Sequence, residues 1–169
     1  MTDASIFDAG LTARAARVLE RCRARKLKIV AAESCTGGLV SALLTEIAGS
    51  SDVFERGFIV YSNIAKVQNL GVSEAVIDAC GAVSPEVARA MAEGAQKRAK
   101  ADFALALTGI AGPSGGSAEN PVGLVHIALA RPAAETLLLE RCYPADRATF
   151  KQLATQSALD MLRRELLGL

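Results

Sequence analysis

Hydrophobic residues follow two periods along this chain, and the two periods predict alternating strands and helices. Short apolar runs predict buried strands, whereas apolar residues spaced three or four apart predict amphipathic helices. The predicted strands are residues 27–32, 58–61, 103–107, 122–130 and 136–143. The predicted helices are residues 11–26, 39–44, 63–70, 73–79, 85–100 and a long final helix that begins after Asp146.

The order of these elements predicts an α/β fold with three layers, α/β/α. Helices that alternate with apolar strands favour a mainly parallel sheet covered on both faces. Residues 131–135 are too few for a crossover helix, so the last two strands are predicted to form an antiparallel hairpin and the sheet is predicted to be mixed. A length of 169 residues with 51% hydrophobic content suits one domain, residues 1–169.

Two segments have capping and burial patterns that strengthen the helix predictions. Ser84 followed by Pro85 is a typical helix start, and Asp146 is predicted to cap the last helix. Seven residues of the last helix have the spacing of a core-facing side. They are Phe150, Leu153, Ala154, Ala158, Met161, Leu162 and Leu166.

Charge and composition narrow the classes of partner. The 19 basic and 18 acidic side chains are interspersed and give a net charge of +1, which does not favour binding to nucleic acid or to an anionic membrane. The chain lacks an apolar run of membrane-spanning length, and its first residues lack a signal-peptide pattern. We therefore expect a cytoplasmic protein with a small-molecule substrate, and the apolar composition favours a homodimer.

The residue types that usually hold metals are sparse. The four cysteines, at positions 22, 35, 80 and 142, form no C-x-x-C pair, so reduced thiols are expected. His126 is the only histidine, and its apolar neighbours favour a buried strand histidine over a member of a catalytic triad. No metal site and no cofactor are expected.

The turn at residues 34–38 is the strongest local signal of chemistry. An apolar strand ends at Ser34, and Gly37 and Gly38 precede a helix whose first N–H groups lack intrahelical partners. Those donors suit an oxyanion or a phosphate, with Thr36 as the predicted N-cap. The turn alone leaves two interpretations open, a nucleophilic serine and a passive anion cradle, and Cys35 is a weaker candidate nucleophile.

Three polar segments are predicted to meet at one edge of the sheet. Ser34, residues 61–63 and residues 108–109 all follow predicted strands, and ligands of open α/β sheets bind beyond the carboxyl ends of the strands. Lys66 lies one helical turn further on and is a candidate base for Ser34. It can act as a base if burial, or the dipole of the helix after Ser34, lowers its pKa; otherwise it is a solvated surface lysine.

Five motifs occur in order along the chain. They are residues 32–38 (AESCTGG), 54–57 (FERG), 61–66 (YSNIAK), 81–84 (GAVS) and 108–116 (TGIAGPSGG). Through these motifs the chain resembles the CinA C-terminal family, the nicotinamide-nucleotide amidohydrolases. The resemblance implies hydrolysis of the carboxamide of nicotinamide mononucleotide to nicotinate mononucleotide and ammonia, in pyridine nucleotide salvage, by a metal-free dyad that Ser34 and Lys66 match.

The positions of other residues, at strand ends and helix starts beside the proposed dyad, indicate further roles. Tyr61 and Thr108 are further candidate catalytic residues, although a hydrogen-bonded strand-end tyrosine and a turn threonine are equally compatible with the pattern. Backbone donors after Ser34 are expected to hold the oxyanion, and the 109–116 loop with Arg147 is expected to hold the 5′-phosphate, unless Arg147 pairs with Asp146 or Glu140. The full set of candidate substrate-binding residues is Thr36, Gly37, Gly38, Asn63, Gly109, Gly112, Gly115, Gly116 and Arg147.

The chain departs from the family pattern at two loop positions. Ser114 stands where aspartate is common and Ala145 where glycine is common, and both changes are expected to affect loop stiffness.

Larger family members carry an additional N-terminal domain, so a stand-alone form is expected here. Two alternatives stay open: a binding or regulatory module linked to competence or DNA damage, and an amidase for another substrate. Retention of Ser34 and Lys66 favours an enzyme.

Overall fold

The computed structural model describes residues 5–168. Residues 1–4 and 169 lie outside the described residues, and with them most of the segment used above to argue against a signal peptide. The elements are α1 Ala9–Ala24, β1 Ile29–Glu33, α2 Leu39–Thr45, a 3-10 turn Ser50–Asp52, β2 Phe54–Ile59, α3 Asn63–Leu70, α4 Glu74–Cys80, α5 Pro85–Ala99, β3 Phe103–Gly109, β4 Leu124–Arg131, β5 Ala134–Cys142 and α6 Arg147–Gly168.

The described strands form one five-stranded mixed sheet in the order β2-β1-β3-β4-β5. β1 runs parallel to β2 and β3, whereas β3–β4 and β4–β5 are antiparallel pairs. Glu33, at the end of β1, is level with Ile59 of β2 and Leu107 of β3. The carboxyl ends of the three parallel strands therefore open at one edge of the sheet, and the predicted mixed sheet with a terminal hairpin is confirmed.

Helices cover both faces of the sheet, as predicted. α1, α2 and α6 pack on one face around large side chains such as Phe103 and Phe150. α3, α4 and α5 pack on the other face, where alanines predominate on α5 and on the strands beneath it. Small facing side chains let elements approach closely. At Gly94 of α5, an added Cβ would collide with the Leu70 carbonyl at the end of α3, so this glycine sets how near α5 lies to α3.

Helix caps agree with the sequence prediction at two sites. Ser84 Oγ accepts from Val87 N at 3.3 Å at the start of α5. Asp146 Oδ1 accepts from the N–H groups of Ala148 and Thr149 at 3.0 Å at the start of α6. Both helices therefore begin where their capping residues predict.

The structure corrects the predicted second strand. The prediction placed it at residues 58–61, but β2 is Phe54–Ile59, and Tyr61 lies beyond its end. β2 is an edge strand that pairs only with β1, so polar residues such as Glu55 and Arg56 are tolerated on it and conceal the strand pattern. In α6, Leu153 and Met161 are half-buried, and Thr155 and Leu159 are buried instead.

Within residues 5–168, none of the helices combines the length and the apolar character needed to cross a membrane.

Candidate active site

A cavity of about 220 Å³ opens at the edge of the sheet where β1, β2 and β3 end. Its lining comes from three strand ends, from α3, from the loop before α5 and from the start of α6. The lining residues are Ser34, Cys35, Tyr61, Asn63, Lys66, Ala82, Val83, Thr108, Gly109, Ala111 and Arg147. The three polar segments that the sequence predicted to meet do meet here.

Ser34 and Lys66 form a buried pair at the base of this cavity. Lys66 Nζ lies 3.4 Å from Ser34 Oγ and 3.4 Å from the Tyr61 carbonyl oxygen. The relative exposure of Lys66 is only 2%, and burial lowers the pKa of its ammonium group. Ser62 Oγ caps α3 by accepting from Ala65 N at 3.1 Å, which fixes the helical turn that carries Lys66.

Glu33 fills the position at the start of α2 that the sequence analysis left for a ligand. Its side chain is fully buried and accepts five hydrogen bonds. Oε2 accepts from Thr36 Oγ1 at 2.6 Å, Gly38 N at 3.0 Å and Val40 N at 3.1 Å. Oε1 accepts from Ser41 N at 2.8 Å and Ser41 Oγ at 2.7 Å.

This arrangement corrects two expectations for the turn. Thr36 is not the N-cap of α2; the cap position belongs to Gly38, and the Thr36 hydroxyl donates to Glu33. The proposed lowering of the Lys66 pKa by an open helix N-terminus also fails, because the Glu33 carboxylate occupies that terminus. Burial is the main cause of the lowered pKa of Lys66.

Few backbone donors of the turn remain free. Gly37 N donates to the Ser34 carbonyl at 3.1 Å, and Gly38 N donates to Glu33. With φ of +61° and +101°, these glycines shape the turn rather than supply donors. Among the hydrogen bonds of residues 5–168, the N–H groups of Cys35 and Thr36 have no acceptor. Cys35 lines the cavity whereas Thr36 is fully buried away from it, so the N–H group of Cys35 is the donor left for an oxyanion.

Cys35 is adjacent to the serine but is poorly suited to be a nucleophile. Its side chain is 5% exposed, and burial raises its pKa to about 12. A thiol is nucleophilic as its thiolate. The geometry therefore favours Ser34 over Cys35.

Arg147 closes one side of the cavity. Its Nη1 donates to the Gly112 carbonyl at 2.9 Å and its Nη2 donates to Tyr61 Oη at 2.9 Å, so it is directed to the site rather than to Asp146 or Glu140. One helical turn later, Lys151 reaches the glycine turn that follows Ser34. Its Nζ lies 3.7 Å from the position that a Cβ on Gly37 would occupy.

The other predicted site residues divide into two groups. Thr108 is 1% exposed and donates through Oγ1 to the Ala82 carbonyl at 2.7 Å, so it anchors a loop of the cavity wall. Asn63 and Gly109 line the cavity, whereas Thr36, Gly37, Gly38, Gly112, Gly115 and Gly116 do not. Gly115 and Gly116 lie in an exposed part of their loop.

His126 belongs to a neighbouring cavity. It is 5% exposed on β4, opposite Glu140 of β5, and its Nδ1 lies 3.7 Å from Glu140 Oε2. That cavity of about 580 Å³ also has Glu86, Glu119 and Cys80 in its lining. Burial lowers the pKa of His126. His126 does not line the Ser34 cavity.

Sequence reasoning missed Glu33 and Lys151. A signal for Glu33 was present, because a carboxylate at the end of an apolar central strand must find donors when it is buried. Lys151 has no such local signal, since its place beside Gly37 depends on how α6 packs against the turn.

Within the described range, no three His, Cys, Asp or Glu side chains lie close enough together to hold a metal ion.

Comparison with known proteins relates the chain to one family. Residues 11–166 match the CinA C-terminal domain. Nicotinamide-nucleotide amidohydrolase PncC of Escherichia coli (strain K12) is 45% identical over 160 residues, 95% of this chain and 97% of that protein. A CinA-like protein of Syntrophobacter fumaroxidans is 54% identical over 147 residues, 87% of this chain but 34% of its own length. The chain thus spans about a third of the CinA-like relatives.

Solved structures agree with the sequence relationship. The crystal structure of competence/damage inducible protein CihA from Agrobacterium tumefaciens has a TM-score of 0.93 at 44% identity, with 96% of this chain and 99% of that chain covered. A CinA superfamily protein from Escherichia coli has a TM-score of 0.87 at 30% identity, with 97% and 94% covered. By sequence and by fold, the chain belongs to the CinA C-terminal domain family.

Proposed function

We propose that this domain hydrolyses the carboxamide of nicotinamide mononucleotide to nicotinate mononucleotide and ammonia, as part of pyridine nucleotide salvage. The observation that carries the proposal is the buried contact of 3.4 Å between Lys66 Nζ and Ser34 Oγ. The 45% identity to the Escherichia coli nicotinamide-nucleotide amidohydrolase over nearly the whole chain supports the choice of substrate.

Lys66 is the proposed general base. In its neutral form Nζ takes the proton from Ser34 Oγ as that oxygen forms a bond to the amide carbon. Burial favours the neutral form of Lys66 by lowering its pKa. The Tyr61 carbonyl, which accepts from Nζ at 3.4 Å, holds the amine in place beside the serine.

The tetrahedral intermediate then collapses to an acyl-enzyme. The N–H group of Cys35 stabilises the oxyanion, and removal of one such donor typically costs about 3 kcal/mol of transition-state stabilisation. The Lys66 ammonium gives its proton to the leaving nitrogen as the C–N bond breaks, so ammonia leaves and Ser34 carries the acyl ester. Water, deprotonated by Lys66, then attacks the ester, and the Lys66 ammonium returns that proton to Ser34 Oγ as the ester bond breaks. The free serine and neutral Lys66 are regenerated, and the acid product ionises to the carboxylate in solution.

The 5′-phosphate is assigned to the cationic side of the opening. Arg147 and Lys151 lie four residues apart on α6, a spacing that puts both side chains on one helix face. Arg147 lines the cavity and Lys151 reaches the turn beside Ser34. Guanidinium and ammonium groups both suit a phosphate.

The decisive experiment measures ammonia release from nicotinamide mononucleotide by the purified protein in the presence of a chelator. Wild type is expected to release ammonia and nicotinate mononucleotide, and Ser34→Ala to release neither. Cys35→Ala is the matched control, since its thiol is buried beside the serine and is expected to leave turnover unchanged. If wild type releases no ammonia, an amidase for another substrate or a binding module is favoured instead. Full turnover by Ser34→Ala would exclude the serine mechanism.

The quaternary state and location stay predictions. A homodimer in the cytoplasm that acts on a free nucleotide, without nucleic acid, is the arrangement expected from the composition. Light scattering coupled to size-exclusion chromatography tests the dimer directly, and a monomer at working concentration would contradict it.

A further inference from the structure

We propose that Glu33 is a positioning residue for the Ser34 nucleophile, and that its carboxylate determines which backbone N–H groups of the turn stay free for an oxyanion. The inference rests on the proposed role of Ser34 as nucleophile. It does not depend on which amide is the substrate. Its basis is the fully buried carboxylate with five donors around it, directly before the serine in the chain.

The first argument concerns the rigidity of the turn. The donors to Glu33 are spread over residues 36–41. They begin with Thr36 in the turn and end with Ser41 in the first turn of α2. A carboxylate is planar, so one group holds these donors in a fixed relation to each other. Ser34 itself is tied to the sheet through its N–H, which donates to the Leu107 carbonyl at 3.1 Å. The nucleophile thus lies between an anchored strand end and an anchored turn.

The second argument concerns the choice of donors. Val40 and Ser41 supply the N–H groups that a helix N-terminus normally offers to a bound anion. Both donate to Glu33, so an incoming anion cannot use them. The remaining donor at the cavity, the N–H group of Cys35, directly follows Ser34. Glu33 therefore leaves anion stabilisation to the donor next to the nucleophile, where the oxygen of the attacked amide is expected to develop charge.

The third argument concerns what an amide would do in the same place. Every partner of Glu33 is a donor, and Ser41 N and Val40 N are N–H groups that can only donate. A glutamine has one acceptor oxygen, and its NH₂ group would face one of these N–H groups. A buried donor left without an acceptor disturbs the local backbone. Glu33→Gln is therefore expected to shift the turn while it retains nearly the same volume.

The test measures the reactivity of Ser34 by two independent readouts. The first is the rate at which phenylmethylsulfonyl fluoride labels Ser34, followed by mass spectrometry. The second is kcat and KM for nicotinamide mononucleotide. In Glu33→Gln, we expect the labelling rate and kcat to fall about 10- to 100-fold, with KM within about twofold of wild type, because oxyanion donors act in the transition state.

Two further variants separate positioning from stability. Ser41→Ala removes only the hydroxyl donor to Oε1, and we expect labelling and kcat to fall about two- to fivefold. Leu43→Ala is the matched control, because Leu43 is a fully buried residue of α2 that does not contact the carboxylate through a hydrogen bond. It is expected to lower the melting temperature and to leave both rates near wild type at 25 °C.

Each outcome decides the inference. Wild-type labelling and kcat in folded Glu33→Gln would overturn it, as would a loss in Leu43→Ala equal to that in Glu33→Gln. If Glu33→Gln does not fold, the graded loss in Ser41→Ala supports the inference and its absence overturns it. If wild type does not hydrolyse nicotinamide mononucleotide but Ser34 is labelled, the proposed substrate fails and the labelling rates decide about Glu33. If wild-type Ser34 is not labelled, the positioning role is wrong.

Discussion

Arg147 Nη2 donates to Tyr61 Oη at 2.9 Å, across 86 positions of sequence. This contact connects the start of α6 to the segment that follows β2, and both residues line the cavity that contains Ser34. The Tyr61 side chain is mainly exposed, at 62%, so the phenol lies at the entrance of the cavity rather than at its base. The two residues therefore define a polar rim.

Arg147→Gln is expected to weaken binding of the nucleotide. Loss of the guanidinium removes the proposed charged partner of the 5′-phosphate, and loss of such a partner typically costs about 1.5–3 kcal/mol, or about 10- to 100-fold in KM. Steady-state kinetics with nicotinamide mononucleotide measure this change. Tyr61→Phe is the matched control, because it removes only the phenol contact and keeps the Tyr61 carbonyl beside Lys66. An unchanged KM in Arg147→Gln would refute the phosphate role.

Lys66→Met is expected to abolish turnover and to stabilise the fold. Unfolded lysine holds its proton up to about pH 10.5, whereas burial lowers the pKa of folded Lys66, so the unfolded state binds more protons between the two values. Stability therefore rises with pH across that window, and the cost of burying the lysine is fully present below it. Methionine avoids this cost and is expected to add about 1 kcal/mol to the free energy of unfolding.

Urea unfolding at neutral and at alkaline pH measures the effect, with Lys97→Met, an α5 variant remote from the site, as control. The difference between Lys66→Met and wild type is expected to shrink as the pH rises. A destabilised Lys66→Met that keeps its turnover would contradict both parts of the prediction.

The rate of amide hydrolysis is expected to rise with pH. In the proposed mechanism, neutral Lys66 is the active form of the base. Burial lowers its pKa, so the midpoint of kcat/KM is expected below the ordinary lysine value of 10.5. Measurement of kcat/KM between about pH 5 and pH 9 follows the expected rise of the rate with pH. Cys35→Ala is expected to show the same midpoint, because the pKa of the thiol is raised to about 12. A rate that falls as pH rises would exclude a neutral lysine base.

Gly109→Ala is expected to damage the cavity from its β3 side. An added Cβ would lie 2.5 Å from the Leu124 carbonyl oxygen and 3.0 Å from Val125 Cα, both backbone atoms that cannot move aside cheaply. Overpacking of this kind costs about 1–3 kcal/mol. Thermal unfolding measures the loss, with Gly81→Ala as a contrasting variant, because open space surrounds Gly81 and only its φ of +81° opposes a side chain. Equal melting temperatures for Gly109→Ala and wild type would contradict the prediction.

The fold and the meeting of the strand ends could be predicted because they follow from local patterns. α3 begins and ends at the predicted residues 63 and 70, since Ser62 and Gly71 mark its ends in the sequence itself. β2 was placed wrongly because Glu55 and Arg56 are polar on an edge strand, and the pairing with β1 that makes them a strand is not a local property.

The details of the site depended on tertiary contacts. Threonine is a common N-cap residue, so Thr36 was predicted to cap α2. In the structure, the Glu33 carboxylate from the preceding strand accepts the hydrogen bonds at the start of α2 instead, and residue preferences for N-caps do not predict a contact of this kind. The placement of Arg147 against Tyr61 likewise depends on how α6 packs against the sheet. Local patterns therefore predicted which residue types meet, but not which hydrogen bonds they form.

The close contact between Gly94 and the Leu70 carbonyl has a genetic consequence. α5 packs against the end of α3, and α3 carries Lys66 near its first turn, so a larger residue at Gly94 is expected to displace the lysine relative to Ser34. In a screen for loss of function, substitutions at this remote, half-buried glycine would group with those of the dyad, although the residue is absent from the lining of the cavity. The proposed dyad therefore depends on packing at the opposite end of α3.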